Sequence, residues 1–213
     1  MNYKISFQER ARLGMEQILK NTITGLFLLL IAVTVRAEVE KYQQSDRSAI
    51  IMEKQVVMPT YPFSDPNPVA KPGNLFYPYF RFDGYATQSV KKEWTVIEME
   101  NDFIKLSVFP EIGGKIWGAT EKSTGREFIY YNHAVKFRNI AMRGPWTSGG
   151  IEFNFGIIGH VPTSSTPVDY LTRTNEDGSV SCFVSSIELI TRTTWTVEVN
   201  LPKDKAYFTT RTT

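Results

Sequence analysis

Beyond residue 40 no stretch of useful length carries the three-to-four-residue apolar repeat of an amphipathic helix. From residue 93 onward apolar residues instead alternate with polar ones, and this period of two puts successive side chains on opposite faces of a strand. Ile104, Leu106 and Val108 share one face, Lys105 and Ser107 the other. The same pattern predicts strands over residues 94–99, 103–109, 115–120, 127–131, 168–174, 180–189, 193–201 and 206–213. Turn chemistry separates them: Asn101-Asp102, the break at Pro110-Glu111-Ile112-Gly113-Gly114, and Lys122-Ser123-Thr124-Gly125 with its glycine at a left-handed position. Asp177-Gly178 and Pro202-Lys203-Asp204-Lys205 follow. Short strands at this spacing, with no internal repeat, predict an all-β sandwich or barrel.

The N-terminal part reads differently. Residues 25–35 are an apolar run, short of the roughly 20 residues a membrane span needs. Val35-Arg36-Ala37 places small or β-branched residues where signal peptidase cuts, so residues 1–37 are expected to be a signal peptide and the protein secreted or periplasmic, with no stable membrane span after removal. A start at Met15 gives a more ordinary leader, and a retained N-terminal anchor helix is the alternative. Residues 38–92 are expected to be an extended lead-in, because Pro59, Pro62, Pro66, Pro68, Pro72 and Pro78 exclude a long helix. Its aromatic run from Phe76 to Phe82 reads as an edge segment covering the domain, with a sugar-stacking platform as the alternative. Residues 93–213 are expected to form the β-sandwich domain. It is expected to be the N-terminal part of a larger one, since residues 209–213 read as a strand in progress.

Charge narrows the partners. The whole chain has 24 basic and 22 acidic residues; removing residues 1–37 takes away five basic and two acidic ones, leaving 19 against 20. No basic excess remains to suggest nucleic acid. Cys182 is the single cysteine, which excludes an intrachain disulfide and a thiolate metal site; its apolar strand context predicts a buried, inert thiol. There is no phosphate-binding Gly-rich loop, His-Glu-x-x-His helix, nucleophile elbow or EF-hand spacing, and neither a metal nor a cofactor is expected.

Residues 143–170 hold most of the remaining chemistry. Arg143, Trp146, Glu152, Asn154, His160 and Asp169 lie close together in sequence, on a backbone punctuated by glycine and proline. An aromatic ring covering an apolar sugar face, with carboxylate, amide and guanidinium groups bonding the hydroxyls, is how a carbohydrate is recognised. Glu152, His160 and Asp169 are the candidate acid–base groups; Arg143, Trp146, Asn154 and His133 are the candidate substrate-binding residues. Each has a plainer alternative. Glu152 faces either a dry pocket or solvent; His160 makes either a ligand contact or a structural hydrogen bond. Asp169 orients a neighbouring backbone or Arg143, and His133 is a structural ring beside the cleft.

Three pieces carry a resemblance: Asn101 to Trp117 with its Pro110-x-x-Gly113-Gly114-x-Ile116 ending, the Lys122 to Phe128 turn and strand, and Arg143-Gly144-Pro145-Trp146 followed by Gly149-Gly150-Ile151-Glu152-Phe153-Asn154. Together they resemble the DUF5107 family of secreted, largely bacteroidetal proteins, over roughly residues 50–213. That family looks like the galactose mutarotase-like (aldose 1-epimerase-like) group. The resemblance implies an antiparallel β-supersandwich whose partner is a mono- or oligosaccharide. It also implies longer domains, often followed by helical repeats, and in aldose epimerases a catalytic glutamate late in the domain. The expected function is an exported carbohydrate-active or carbohydrate-binding domain, with epimerase-like or glycoside hydrolase-like acid–base chemistry. The alternative is a non-catalytic glycan-binding or structural module of a larger cell-envelope protein.

Overall fold

A computed structural model describes residues 17, 20–26, 48–70, 77–140, 144–156 and 159–213. The chain divides into two compact units, residues 1–44 and 45–213. In the first, residues 20–26 are helical; most of the expected signal peptide and its cleavage point lie outside the described residues. Among the described residues no helix is long and apolar enough to cross a membrane.

The second unit is all-β. Its strands are β1 (Ile50–Tyr61), β2 (Val90–Glu100), β3 (Ile104–Phe109), β4 (Lys115–Glu121), β5 (Glu127–Ile129), β6 (Val135–Lys136), β7 (Arg138–Asn139), β8 (Pro145–Trp146), β9 (Asp169–Thr174), β10 (Val180–Ile187), β11 (Thr194–Leu201) and β12 (Thr209–Thr212). A six-stranded sheet runs β5-β4-β3-β2-β1-β6 and a four-stranded sheet β12-β11-β10-β9, while β7 and β8 form a two-stranded ribbon. The neighbours are antiparallel with one exception: β1 pairs β6 in parallel, Thr60 with Val135 and Tyr61 with Lys136.

The two large sheets pack face to face, as the alternation requires. Ile97 and Met99 of β2, Ile104, Leu106 and Val108 of β3 and Ile116 of β4 meet Val180, Cys182 and Val184 of β10 and Trp195, Val197, Val199 and Leu201 of β11 in one buried cluster. Cys182 is fully buried, and loss of hydration pushes its thiol up to about 12. The opposite face of the six-stranded sheet carries a second cluster, including Trp94 and Val96 of β2, Phe109 of β3, Trp117 of β4 and Phe137. Farther along that face Glu98 is buried between Lys54 and Lys105. Burial opposes its charge, but the hydrogen bonds and fields of the two ammonium groups outweigh that, and its carboxyl stays below the ordinary carboxylate value.

The expected turns hold. Gly125 has φ 70, and Glu121 caps that turn by accepting hydrogen bonds from the backbone N–H of Ser123 and Thr124. Asn101 does more than turn the chain. Its Oδ1 accepts from the N–H of Phe103 and Ile104, each at 2.9 Å, and its Nδ2 donates to the carbonyls of Pro202 and Lys205 at 2.7 and 2.8 Å. The β2–β3 turn is thereby tied to the β11–β12 turn of the other sheet.

The expected lead-in contains β1, which pairs with β2 from Ile50–Glu100 to Thr60–Val90. Alternation does not reveal it, because most of β1 is exposed on both faces and only Met58 and Thr60 are buried. After β1 the aromatic segment folds back: Asn67 bridges to Tyr79, and the rings of Phe63 and Phe80 meet edge-on at 5.8 Å.

Candidate functional site

The site is assembled where β4 begins. Alternation directs Lys115 and Trp117 away from the inter-sheet core that receives Ile116, and Trp117 stacks on Phe109 at 4.7 Å. Lys115 is almost fully buried, at 2% exposure. Its Nζ donates to the carbonyl of Thr147 at 2.7 Å and reaches Thr147 Oγ1 at 3.3 Å. It also lies 5.9 Å from the ring centroid of Trp117 and 5.8 Å from that of Trp146. Burial pulls Lys115 down from its ordinary 10.5 to about 8, against the pull of the Glu152 carboxylate in the other direction.

The segment after β8 is laid onto this strand. Ile116 and Ile151 exchange both backbone hydrogen bonds, at 3.1 and 2.8 Å. Gly150 makes this approach possible. Its φ is 66, and a Cβ there would stand 2.3 Å from the carbonyl oxygen of Ile116. The chain then presents Glu152, whose side chain is 11% exposed.

Glu152 meets His160. Its Oε1 lies 2.8 Å from His160 Nδ1, and the His160 side chain is 39% exposed. His160 has φ 53, in the left-handed region where non-glycine residues are uncommon. Its ring meets Trp146 edge-on, with centroids 5.8 Å apart. Asn154 Oδ1 accepts the N–H of Val161 at 3.3 Å, which fastens the far end of the same turn. Beyond it Val161 and the short 3-10 turn Pro162–Ser165 are buried, and Ser165 Oγ donates to the Pro145 carbonyl at 2.5 Å, returning the chain to β8. Among the described residues Nδ1 is the only ring nitrogen of His160 that makes a hydrogen bond.

The structure therefore gathers Glu152, His160 and Trp146, with Asn154 bracing the turn that carries His160. Arg143 lies outside the described residues. Asp169 stands exposed at the first position of β9, in register with Ser185, and makes no hydrogen bond or ion pair with Glu152 or His160 among the described residues. His133 is exposed with its ring 5.3 Å from that of Tyr131, and its neighbour Asn132 donates to Ser148 Oγ at 3.2 Å. Two members were not singled out in the sequence, Lys115 and Thr147. The period of two was the available signal for Lys115, since it places that residue on the face of Trp117.

Among the described residues no three His, Cys, Asp or Glu side chains gather where a metal ion could be held. Behind the Ser165–Pro145 contact, a cleft of about 440 Å³ is lined by Phe63, Phe80, Trp94, Phe137, Pro145 and Ser165, with Lys92 and Glu111 among its polar groups.

Comparison with known proteins gives two results. The family model described as a domain of unknown function (DUF5107) matches residues 71–213. Among solved structures, the chain is similar to a TPR-domain containing protein from Parabacteroides distasonis ATCC 8503, at 27% identity and a TM-score of 0.70. The likeness covers 79% of this chain and 29% of that one, so the chain spans less than a third of the length of that protein.

Proposed function

From the premise that this chain belongs to the DUF5107 family, we propose that its β-sandwich is an exported carbohydrate-recognition domain of galactose mutarotase-like type, with Glu152, His160 and Trp146 at its sugar site. The observation that carries this reading is the convergence of one aromatic ring with one acid–base couple: Trp146 and His160 at 5.8 Å, His160 and Glu152 at 2.8 Å. A pyranose binds by laying its C–H face on an aromatic ring while its hydroxyls bond polar groups at the edge, and this site offers both. Export is supported by the apolar run over residues 25–35 and by the Val35-Arg36-Ala37 pattern at its end.

In the catalytic form of this reading, His160 passes a proton through Nε2 to or from a sugar oxygen. Glu152 stabilises the imidazolium and fixes which nitrogen faces the ligand. The second reading is a glycan-binding or structural module without turnover. It is favoured by the exposed position of Asp169, which leaves one of the three expected acid–base groups outside the Glu152–His160 couple.

Glycan-array binding of residues 38–213 tests the proposal, with Trp146→Ala as the control. Binding that Trp146→Ala abolishes supports a carbohydrate site, and hydrolysis and mutarotation assays on the captured glycan then separate the two readings. A folded protein that binds no glycan sinks both the catalytic and the binding form.

A further inference from the structure

Lys115 is the feature of this site that packing alone does not account for. It is 2% exposed in a region built by Phe109, Trp117 and Trp146, where an apolar side chain of similar length would fill the same space without the cost of burying an ammonium group. Its neighbours are those of a charged residue with a task. The Thr147 carbonyl and hydroxyl accept from Nζ, two indole rings lie within 6 Å of it, and the Glu152 carboxylate favours its charged form. Among the described residues the titratable groups around it are Glu152 and, bonded to Glu152, His160.

The placement matters because of what lies on either side of Thr147. Trp146 precedes it, and Glu152 follows after the Ile116–Ile151 bridge. Two consecutive residues of β4 therefore hold this loop. Ile116 does so through its backbone and Lys115 through its side chain, at the point nearest the indole. Because Lys115 is 2% exposed while the His160 side chain is 39% exposed, the role that fits it is support and not contact with a ligand.

We propose that Lys115 is a positioning residue of this site, its ammonium group fixing Thr147 and with it the Trp146 ring that faces His160. The proposal rests on the reading of Trp146, Glu152 and His160 as the ligand site, but part of its test does not.

The test uses Lys115→Met, Lys115→Arg and Lys115→Gln, with near-ultraviolet circular dichroism confirming a folded sandwich in each. Gln keeps a hydrogen-bond donor for Thr147 and removes the charge, so it separates a structural amide-like role from an electrostatic one. The first readout needs no ligand. The emission of Trp146, taken as wild type minus Trp146→Phe, is followed from pH 6 to pH 10. It is expected to change with a midpoint near pH 8, the value to which burial brings Lys115, and to lose that transition in Lys115→Met and Lys115→Gln while Lys115→Arg stays on the low-pH form throughout. The second readout is binding to the immobilised oligosaccharides of the same array at pH 7, expected to weaken at least tenfold in Met and Gln and less in Arg. A transition that persists in Lys115→Met, or Gln behaving as wild type in both readouts, overturns the proposal. If wild type binds no oligosaccharide, the carbohydrate reading falls, and the Trp146 transition by itself decides whether Lys115 governs the ring.

Discussion

The carboxylate of Glu152 and the imidazole of His160 meet at 2.8 Å although they lie eight positions apart in the sequence. The contact is made by three features: the Ile116–Ile151 bridge that delivers Glu152, the left-handed backbone of His160, and the Asn154–Val161 hydrogen bond that closes the turn between them. Glu152→Gln keeps the shape and an oxygen acceptor for Nδ1 but removes the negative charge. If the domain is catalytic, turnover on its glycan falls by about 100-fold or more, the usual scale of general acid–base assistance, while binding changes little. Equal losses in both would identify Glu152 as a ligand contact.

Gly150→Ala tests the delivery of that pair. A Cβ at Gly150 would lie 2.3 Å from the Ile116 carbonyl, and the φ of 66 strains any L side chain. The carbonyl cannot retreat without breaking its bond from the Ile151 N–H. The variant is expected to lose about 3 kcal/mol in urea denaturation, from backbone strain plus a broken bridge. Binding to any ligand of the site falls with it.

Asn101→Ala removes four hydrogen bonds at once, two within the β2–β3 turn and two to Pro202 and Lys205 of the other sheet. With a net contribution near 1 kcal/mol each and partial rescue by water, a loss of about 2–4 kcal/mol is expected. Hydrogen exchange should accelerate at Phe103 and Ile104, whose N–H groups lose their acceptor. A loss below half a kilocalorie per mole would mean that the two turns are held by packing alone.

Burial of Lys115 makes stability rise with pH. Its amine titrates near 8 in the folded chain and 10.5 is its ordinary value, so between these the unfolded chain binds the extra proton. At roughly 1.4 kcal/mol per pH unit, wild type should gain about 3 kcal/mol relative to Lys115→Met as pH goes from 8 to 10.5. Taking the difference against Lys115→Met cancels Tyr131, held above its ordinary value by burial and then by Glu98 and Glu127, which acts in the opposite sense from about pH 10 upward. A flat difference would show that the amine is hydrated in the folded state.

How much of this was legible in the sequence depends on what each residue packs against. Ile104, Leu106 and Val108 were readable because β3 has one face on the opposing sheet, and the Asp177-Gly178 hairpin because its turn chemistry is local. β1 was hidden: it is exposed along most of its length, carries Pro59 inside it, and owes its strand conformation to β2 beside it more than to a buried face of its own. For Glu152 the sequence left pocket and solvent open. The answer, a side chain 11% exposed against a histidine, depends on a backbone bridge between residues 116 and 151 that no local pattern encodes. Lys115 was the hardest to see, because a lysine after two glycines looks like the solvated start of a strand until Thr147 and two indoles close over it.

The lone thiol of Cys182 has a practical consequence. It lies between the two sheets at zero exposure, with its proton held to about 12. A thiol reagent in neutral solution can reach it only when the sheets part, so the rate at which Cys182 is labelled is a built-in clock for opening of the sandwich. Read alongside the Asn101 and Gly150 variants, that clock distinguishes a change that loosens the packing between the two sheets from one that frays a single loop at their rim.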